Sequence, residues 1–392
     1  MKTLFRNFFF VLKRFKTSSI LNILGLSAAF TVFSVTMIQV YYDFTYDHNF
    51  DKASNIYLFS QFHPADGARN SNISTPMAKE ISDKFPEVRN YCLLLTCKNI
   101  IFDLAHKKGD SSKHNEYLTK ATVGMLKVFT PEILIGDAHP ALTERNKAMI
   151  SESTAHKFFG NENPIGKSIC FHDSTTQITV VAVCKDFPDN CTLKNGIFMQ
   201  LPDDTQGNFN YEGYFEVLPG DIIKLAGRLN SKELFGDKDW ESFKDPQNKR
   251  IAELTPLSKI HLQFPDKGSG NLSTTLSLMA IGILTLIMAY INFLNFSIAM
   301  APSRVRGLNI QKILGAKPKT LKFLIAAEAS LFSLLAFIVA LFLLALFKES
   351  PINAFFSADL GLQKNWAILS IIGVSSIGFG MIVVAPAFKA SR

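Results

Sequence analysis

Four long apolar stretches constrain the fold of this chain more than any other feature. Each is more than 20 residues long and contains at most one charged residue. They are residues 17–42, 268–303, 323–347 and 365–388. A bilayer core needs about 20 apolar helical residues, so each stretch is long enough to cross a membrane. The sequence therefore predicts a membrane protein with four transmembrane α-helices.

The rest of the chain divides around these stretches, with a large α+β extracytoplasmic domain inserted between helix 1 and helix 2. The predicted order is an interfacial N-terminal helix (1–16), transmembrane helix 1 (17–42), the extracytoplasmic domain (43–267), transmembrane helix 2 (274–300), a cytoplasmic segment (301–321), transmembrane helix 3 (322–347), a short extracytoplasmic loop (348–364), transmembrane helix 4 (365–388) and a cytoplasmic tail (389–392). The first apolar run is longer than the roughly 7 to 15 residues of a signal-peptide core, so we interpret it as a retained anchor.

Basic residues indicate the orientation, because Lys and Arg concentrate in short cytoplasmic segments. Residues 1–16 carry five basic and no acidic residues, and 304–322 carry six basic and none. Residues 43–267 carry 26 basic and 30 acidic residues. The net charge of +8 therefore comes from the short segments and indicates no nucleic-acid surface. We predict cytoplasmic termini and a periplasmic domain in a multi-pass protein of the bacterial inner membrane.

Residues 158–171, FFGNENPIGKSICF, look like a phosphate-binding loop. Such a loop has four residues between its first glycine and the Gly-Lys pair. Here five separate Gly160 from Gly166, and Pro164 has no N–H to offer a phosphate. The segment also lies in the extracytoplasmic domain, away from ATP. We predict a helix, a turn and a strand here.

No catalytic residue or metal site is predicted in this domain. His172 lies near Cys170 and Asp173, but neighbouring residues on a strand point to opposite faces and no second cluster completes four ligands. Cysteines at positions 92, 97, 170, 184 and 191 all lie in the domain. Their odd number leaves at least one without an intramolecular partner, and the disulfide state stays open.

Several segments, in order along the chain, resemble the FtsX/MacB-like permease family of ABC transporters. YDFTYDHNFDKASNIYLFS is similar to the segment after the first span, and SESTAHKFFGNENPIGKSI with VVAVCKDFPDNC to the MacB-type periplasmic domain. ELTPLSKIHLQF is similar to the end of that domain. YINFLNFSIA and NIQKILGAKPKTLKFLIAAEASLFSLLA resemble the second span, the cytoplasmic connector and the third span.

The resemblance implies a permease subunit without its own ATPase site that transmits conformational change from a separate cytoplasmic ATPase to its periplasmic domain. No cofactor is expected to bind directly, since ATP would be used by the partner. The implied partners are that ATPase, a homo- or heterodimeric permease partner, the lipid bilayer and an extracytoplasmic protein. The substrate would be a peptide, an antibiotic or a lipoprotein. The alternative is a regulator that transports nothing and activates a partner such as a cell-wall hydrolase. The chain could also be half of a tandem permease.

Two groups of residues follow as candidates. The resemblance makes the basic, amphipathic connector an ATPase-coupling helix, with a plain positive-inside anchor as the alternative. Its candidate residues are Arg304, Arg306, Ile310, Lys312, Ile313, Leu314 and Gly315. Candidate helix-packing residues are Gly25, Ala28, Asn292, Asn295 and Glu328. The small residues and asparagines would serve dimerisation or intramolecular packing. Glu328 would serve packing or coupling near the cytoplasmic face, with a tolerated interfacial charge as the alternative.

Overall fold

The computed structural model describes residues 8–9, 12–104, 113–172, 176–202, 210–234, 249–264, 270–299, 305, 310–313 and 315–382, without the side chains of 352 and 379–382. The chain divides into two compact units. The first, the helical unit, comprises Met1–Phe44 and Ser269–Arg392. The second, the sheet domain, comprises Thr45–Gly268.

The helices of the described residues alternate between long apolar ones and short amphipathic ones. In chain order they are α1 (Lys16–Phe44), α2 (Thr75–Lys84), α3 (Met125–Val128), α4 (His139–Thr143), α5 (Glu152–Phe159), α6 (Ile222–Leu229), α7 (Leu257–Gln263), α8 (Leu272–Ala299), α9 (Pro318–Lys348) and α10 (Trp366–Ile382). The helical unit contains α1, α8, α9 and α10, and the others lie in the sheet domain.

Within the described ranges, three helices are long and apolar enough to cross a membrane. They are α1 with 29 residues, α8 with 28 and α9 with 31. At 1.5 Å per residue each exceeds the roughly 30 Å of a bilayer core. The fourth predicted helix is described as α10, which is apolar but has 17 residues, and the predicted range continues to residue 388, outside the described residues.

Helix α1 packs against both α8 and α9. A small residue allows the close approach to α8, where a β-carbon on Gly282 would overlap the Thr36 hydroxyl. On the α9 side, the rings of Phe30 and Phe337 meet edge to face with centroids 5.9 Å apart. Most of α8 faces away from this core, since its buried residues are Thr275, Gly282, Phe293 and Ser297.

The predicted N-terminal interfacial helix lies mostly outside the described residues. Phe8 and Phe9 are helical, and they face different surroundings. Phe8 is buried against Phe332 of α9, with ring centroids 4.7 Å apart, whereas Phe9 is exposed. At least this turn of the segment therefore packs on the helical unit.

The sheet domain is built around one mixed, twelve-stranded sheet in the described residues. Its strands are β1 (Ile56–Phe62), β2 (Arg69–Asn70), β3 (Asn72–Ile73), β4 (Val88–Leu104), β5 (His114–Ala121), β6 (Ile133–Gly136), β7 (Lys147–Ser151), β8 (Ser168–Phe171), β9 (Gln177–Cys184), β10 (Gly196–Gln200), β11 (Tyr211–Val217) and β12 (Ile251–Pro256). The main path is β12-β1-β11-β4-β5-β10-β7-β9-β6.

Short strands extend this path at its margins. Strand β2 pairs with β1, β3 with β11, and β8 with both β4 and β9. The β10–β5 and β7–β9 pairs are parallel, whereas the other pairs are antiparallel. The short helices cover the sheet with buried apolar residues such as Ile81 of α2, Leu142 of α4 and Leu225 of α6. The predicted α+β domain is confirmed.

The segment that looks like a phosphate loop is a helix, a turn and a strand, as predicted. Helix α5 ends at Phe159, Gly160 and Gly166 have positive φ angles of 61° and 81°, and β8 begins at Ser168. Lys167 forms an ion pair with Glu162 and lies 5.2 Å from the centre of the Phe159 ring. Its ammonium group is therefore engaged within the turn.

Candidate functional site

The described part of the predicted coupling segment exposes its apolar side chains. Ile313 is 84% exposed and Ile310 is also exposed, although both are large aliphatic residues. Lys312 is exposed, and Gly315 has a φ of +89° with its N–H donating to the Lys312 carbonyl, as at a helix C-terminus. Arg304, Arg306 and Leu314 lie outside the described residues.

The predicted helix-packing residues are brought together only in part. A β-carbon on Gly25 of α1 would lie 3.8 Å from the Asn292 side chain of α8. Ala28 and Asn295 are exposed, as are Gly25 and Asn292. Glu328 of α9 is 5% exposed. The Glu328 side chain is thus buried within the helical unit.

A buried polar network joins α1, α8 and the connection between α9 and α10. The Gln39 amide donates to Asp43 over 2.8 Å, and the Thr275 hydroxyl of α8 donates to the other Asp43 oxygen over 2.6 Å. The Gln39 carbonyl oxygen accepts hydrogen bonds from the backbone N–H groups of Ser357 and Ala358, at 3.0 and 3.1 Å. We call this set the Gln39–Asp43 network.

The sequence analysis missed this network. Gln39 and Asp43 are four residues apart, so they lie on one face of α1, and that spacing was the available signal. A buried carboxylate is stabilised only when hydrogen-bond donors surround it. The network therefore holds the end of α1 that leads into the sheet domain to two other segments of the helical unit.

Immediately after α1, the first residues of the sheet domain are bound to the loop between β9 and β10. Asp47 is fully buried and accepts from the Thr192 N–H and the Thr192 hydroxyl, both at 2.6 Å. The Asp47 N–H donates to the Asn190 carbonyl over 2.9 Å, and the Asn190 amide donates to Thr45. We call these contacts the Asp47 clasp.

Helix α7, near the C-terminal end of the sheet domain, contacts the residues next to Asp47. The ring of His261 in α7 stacks on Tyr46 with centroids 3.9 Å apart and planes 5° apart. The Tyr46 hydroxyl donates to the Cys191 carbonyl over 2.9 Å and accepts from the Lys194 ammonium over 3.0 Å. The clasp thus gathers the chain that enters the domain, the chain that leaves it and a loop of the central sheet.

Burial sets the electrostatics of the clasp. Loss of water around the Asp47 carboxyl raises its pKa to about 6, although the hydrogen bonds from Thr192 oppose the shift. Burial likewise lowers the pKa of Lys194. Asp47 also has a φ of +59°, a conformation that Asn and Asp tolerate better than most residues.

His172, which sequence analysis considered as a metal ligand, pairs instead with a carboxylate. Its Nδ1 lies 2.7 Å from Asp103, and the Cys170 thiol donates to the Asp103 backbone carbonyl over 3.5 Å. Asp173 lies outside the described residues. Among the residues that are described, no group of three or more His, Cys, Asp and Glu side chains is arranged to hold a metal ion.

Two family profiles match the sequence. The MacB-like periplasmic core domain matches residues 19–230, more than half of the chain, and the FtsX-like permease C-terminal domain matches residues 279–392. A comparison with curated proteins gave no match.

Solved structures similar to this chain include a domain of a protein described as a permease from Porphyromonas gingivalis, with 21% identity, TM-score 0.44, and coverage of 53% of this chain and 93% of that one. The periplasmic region of MacB from Actinobacillus actinomycetemcomitans is 15% identical, with TM-score 0.38 and coverage of 55% of this chain and 94% of that one. The extracellular domain of the noncanonic ABC-type transporter YknZ from Gram-positive bacteria is 14% identical, with TM-score 0.36 and coverage of 51% of this chain and 100% of that one.

Proteins with this pair of domains are membrane permeases with a periplasmic α+β domain, and they are typically non-enzymatic partners of a cytoplasmic ATPase. The two profiles follow one another along the sequence in the order that the apolar stretches and the sheet domain require. The chain belongs to the MacB/FtsX-like family of ABC transporter permeases.

Proposed function

We propose that this chain transmits ATP-driven conformational change from a separate cytoplasmic ATPase to its sheet domain, in the export or extraction of a peptide, an antibiotic or a lipoprotein. The Asp47 clasp is the observation that carries the proposal. Movement of α1 reaches the domain through Thr45, and the clasp binds the residues after Thr45 to the central sheet. A flexible junction would absorb that movement, whereas a buried, hydrogen-bonded one passes it on.

The Gln39–Asp43 network supports the same role on the helical side of the junction. It links α1 to α8 and to the residues before α10 through five hydrogen-bonding groups that are mutually satisfied. The ends of these segments therefore move together, because breaking one bond would leave a buried carboxylate or amide without its partner. Force applied to any of these three segments would then reach the residues just before Thr45.

The ATPase would bind the connector between α8 and α9. Ile310 and Ile313 are exposed there, and exposed aliphatic side chains on a short helix are suited to a groove in a protein partner. Arg304, Arg306 and Lys312 would add charge, and Gly315 would end the helix. The partner would use ATP, with no cofactor bound to this chain.

A second permease subunit would pack on the exposed small and amide side chains of α1 and α8. Gly25, Ala28, Asn292 and Asn295 are exposed in the single chain, although amides in lipid lack hydrogen-bond partners. A homo- or heterodimer would cover them.

In the membrane topology that we propose, α10 completes four spans, the termini are cytoplasmic and the sheet domain is periplasmic in the inner membrane.

The test is an Ile313→Asp substitution, compared with the matched change Ile223→Asp on α6. Ile313 and Ile223 are 84% and 85% exposed, so both variants should fold. The measurement is co-purification of each full chain with an ABC ATPase from the same organism, and stimulation of its ATP hydrolysis in liposomes. We expect Ile313→Asp to reduce both at least tenfold, since it replaces about 2 kcal/mol of buried apolar contact with a desolvated charge. Equal activity of the two variants would refute the coupling role.

A further inference from the structure

A cleft of about 410 Å³ opens on the sheet domain between α5, the turn after it and β6. The apolar part of its lining, which we call the apolar wall, includes Leu134 and Ile135 of β6, and the polar part includes Glu152 and His156 of α5. Pro164 and the neighbouring turn residues also line the cleft. The sequence that resembles a phosphate loop therefore forms part of a cavity with quite different chemistry.

The apolar wall lies on the last strand of the main sheet path, β6. Leu134 and Ile135 are 42% and 49% exposed. Successive strand residues normally point to opposite faces, but the pairing of β6 with β9 is irregular between Ile133 and Ile135. Such an irregularity redirects side chains, and here both residues line the cleft. An adjacent pair of exposed aliphatic residues at a concave site is typical of a binding surface.

The polar part of the lining contains an acidic side chain without a direct ion pair in the described residues. Glu162 of the lining is neutralised by Lys167, and nearby Glu132 by Lys185. Glu152, which also lines the cleft, forms no direct ion pair within the described part of the chain, and Lys185, whose direct partner is Glu132, acts on it only at longer range. A ligand that fits this cleft therefore combines an apolar group with a positive charge.

The cleft is preformed by hydrogen bonds in its turn. The His156 ring lies 3.0 Å from the Gly160 carbonyl, and the Asn163 side chain accepts from the Ile165 N–H over 3.0 Å. The Gly166 N–H donates to the Val180 carbonyl of β9 over 2.8 Å. Little conformational entropy would be lost on binding, since these groups are already ordered.

We infer that this cleft binds an extended segment of an extracytoplasmic partner protein, in which an apolar side chain lies against Leu134 and Ile135 and a neighbouring Lys or Arg pairs with Glu152. The volume suits one or two large side chains. The irregular pairing of β6 disfavours the addition of a further strand to its edge, so side-chain insertion provides the affinity. The inference does not depend on ATPase coupling, because binding requires no nucleotide.

The experiment uses the purified full chain in detergent and two fluorescein-labelled octapeptides, alternating Val-Lys and alternating Val-Glu, with empty micelles as the blank. Binding is measured by fluorescence anisotropy. We expect the Val-Lys peptide to bind at least tenfold more tightly than the Val-Glu peptide, and to weaken as salt is added. Equal binding of the two peptides, or no binding of either, would overturn the inference.

Three variants locate the bound peptide. Leu134→Ser with Ile135→Ser should weaken Val-Lys binding about tenfold or more, because the apolar wall is lost. Glu152→Gln should weaken it about threefold and reduce its salt dependence, as expected for one solvent-exposed ion pair. Ile223→Ser removes an exposed aliphatic residue outside the cleft and should have no effect. If the double variant bound as well as the unsubstituted chain, the peptide would be elsewhere and the inference wrong.

Discussion

Asp47 and Thr192, 145 residues apart in the sequence, are joined by two hydrogen bonds of 2.6 Å, one from the Thr192 N–H and one from its hydroxyl. The carboxylate that receives them is fully buried. The first residues after α1 are therefore tied to the loop that connects two strands of the central sheet.

The pH dependence of stability should reveal Asp47. Its pKa is about 6 in the folded protein against 3.8 ordinarily, so the folded state holds the proton more tightly than the unfolded state. Protonation of Asp47 therefore adds about 3 kcal/mol to the free energy of unfolding below about pH 4, and this stabilisation is lost as the pH rises through about 6.

The Asp47→Asn variant has no such titration and tolerates the positive φ. Urea unfolding of the full chain in detergent, followed by far-ultraviolet circular dichroism, measures the free energy of unfolding. Between pH 4.5 and pH 7.5 the wild-type chain should lose stability relative to Asp47→Asn. A difference that stayed constant across this range would show that Asp47 does not titrate there.

The Thr275 hydroxyl should stabilise the helical unit through Asp43. We expect Thr275→Val to cost about 1 kcal/mol, because it leaves a buried carboxylate oxygen with one donor fewer. Thr275→Ser keeps the hydroxyl and should cost less. Unfolding of the full chain in sodium dodecyl sulfate measures the free energy of unfolding of both variants. Equal losses for the two variants would assign the effect to packing and not to the hydrogen bond.

Gly136 should tolerate no side chain. It has a φ of +86°, and an added β-carbon would overlap the Val181 carbonyl oxygen of β9. We expect Gly136→Ala to destabilise the sheet domain by about 3 kcal/mol, from strain and overlap together. Gly67→Ala is the matched control, since Gly67 has a φ of +72° with nothing within 4 Å, and it should cost about 1 kcal/mol. If urea unfolding gave similar losses of stability for the two variants, backbone strain alone would explain both, and the overlap predicted at Gly136 would be wrong.

The five cysteines should differ sharply in reactivity. All are free thiols, and Cys92, Cys184 and Cys191 are buried. Burial raises the pKa of Cys184 to about 12, and those of Cys92 and Cys191 well above the usual range. Maleimide labelling of the native chain at pH 7, read by peptide mass spectrometry, should modify Cys97 first. The three buried thiols should react only after denaturation, and their labelling in the native chain would contradict this packing.

Local sequence was sufficient for the elements whose signals are local. The absence of charge in residues 17–42 predicted the helix described as α1, because a long apolar run has only one stable conformation in lipid. Pro164 and Gly166 likewise predicted the turn between α5 and β8. Gly25 and Asn292 were each selected as packing residues. That a β-carbon on Gly25 would contact the Asn292 side chain was not predictable, because nothing local specifies the rotation of one helix against another.

By itself, the sequence determined that this protein is a membrane permease with an inserted α+β domain, since span length, charge distribution and family motifs can all be read along the chain. Only the tertiary structure decided which polar residues stabilise it. Thr275 lies 232 residues after Asp43, and the partner of Asp47 lies 145 residues away. A buried carboxylate needs donors within about 3 Å, and only folding shows which distant segment supplies them.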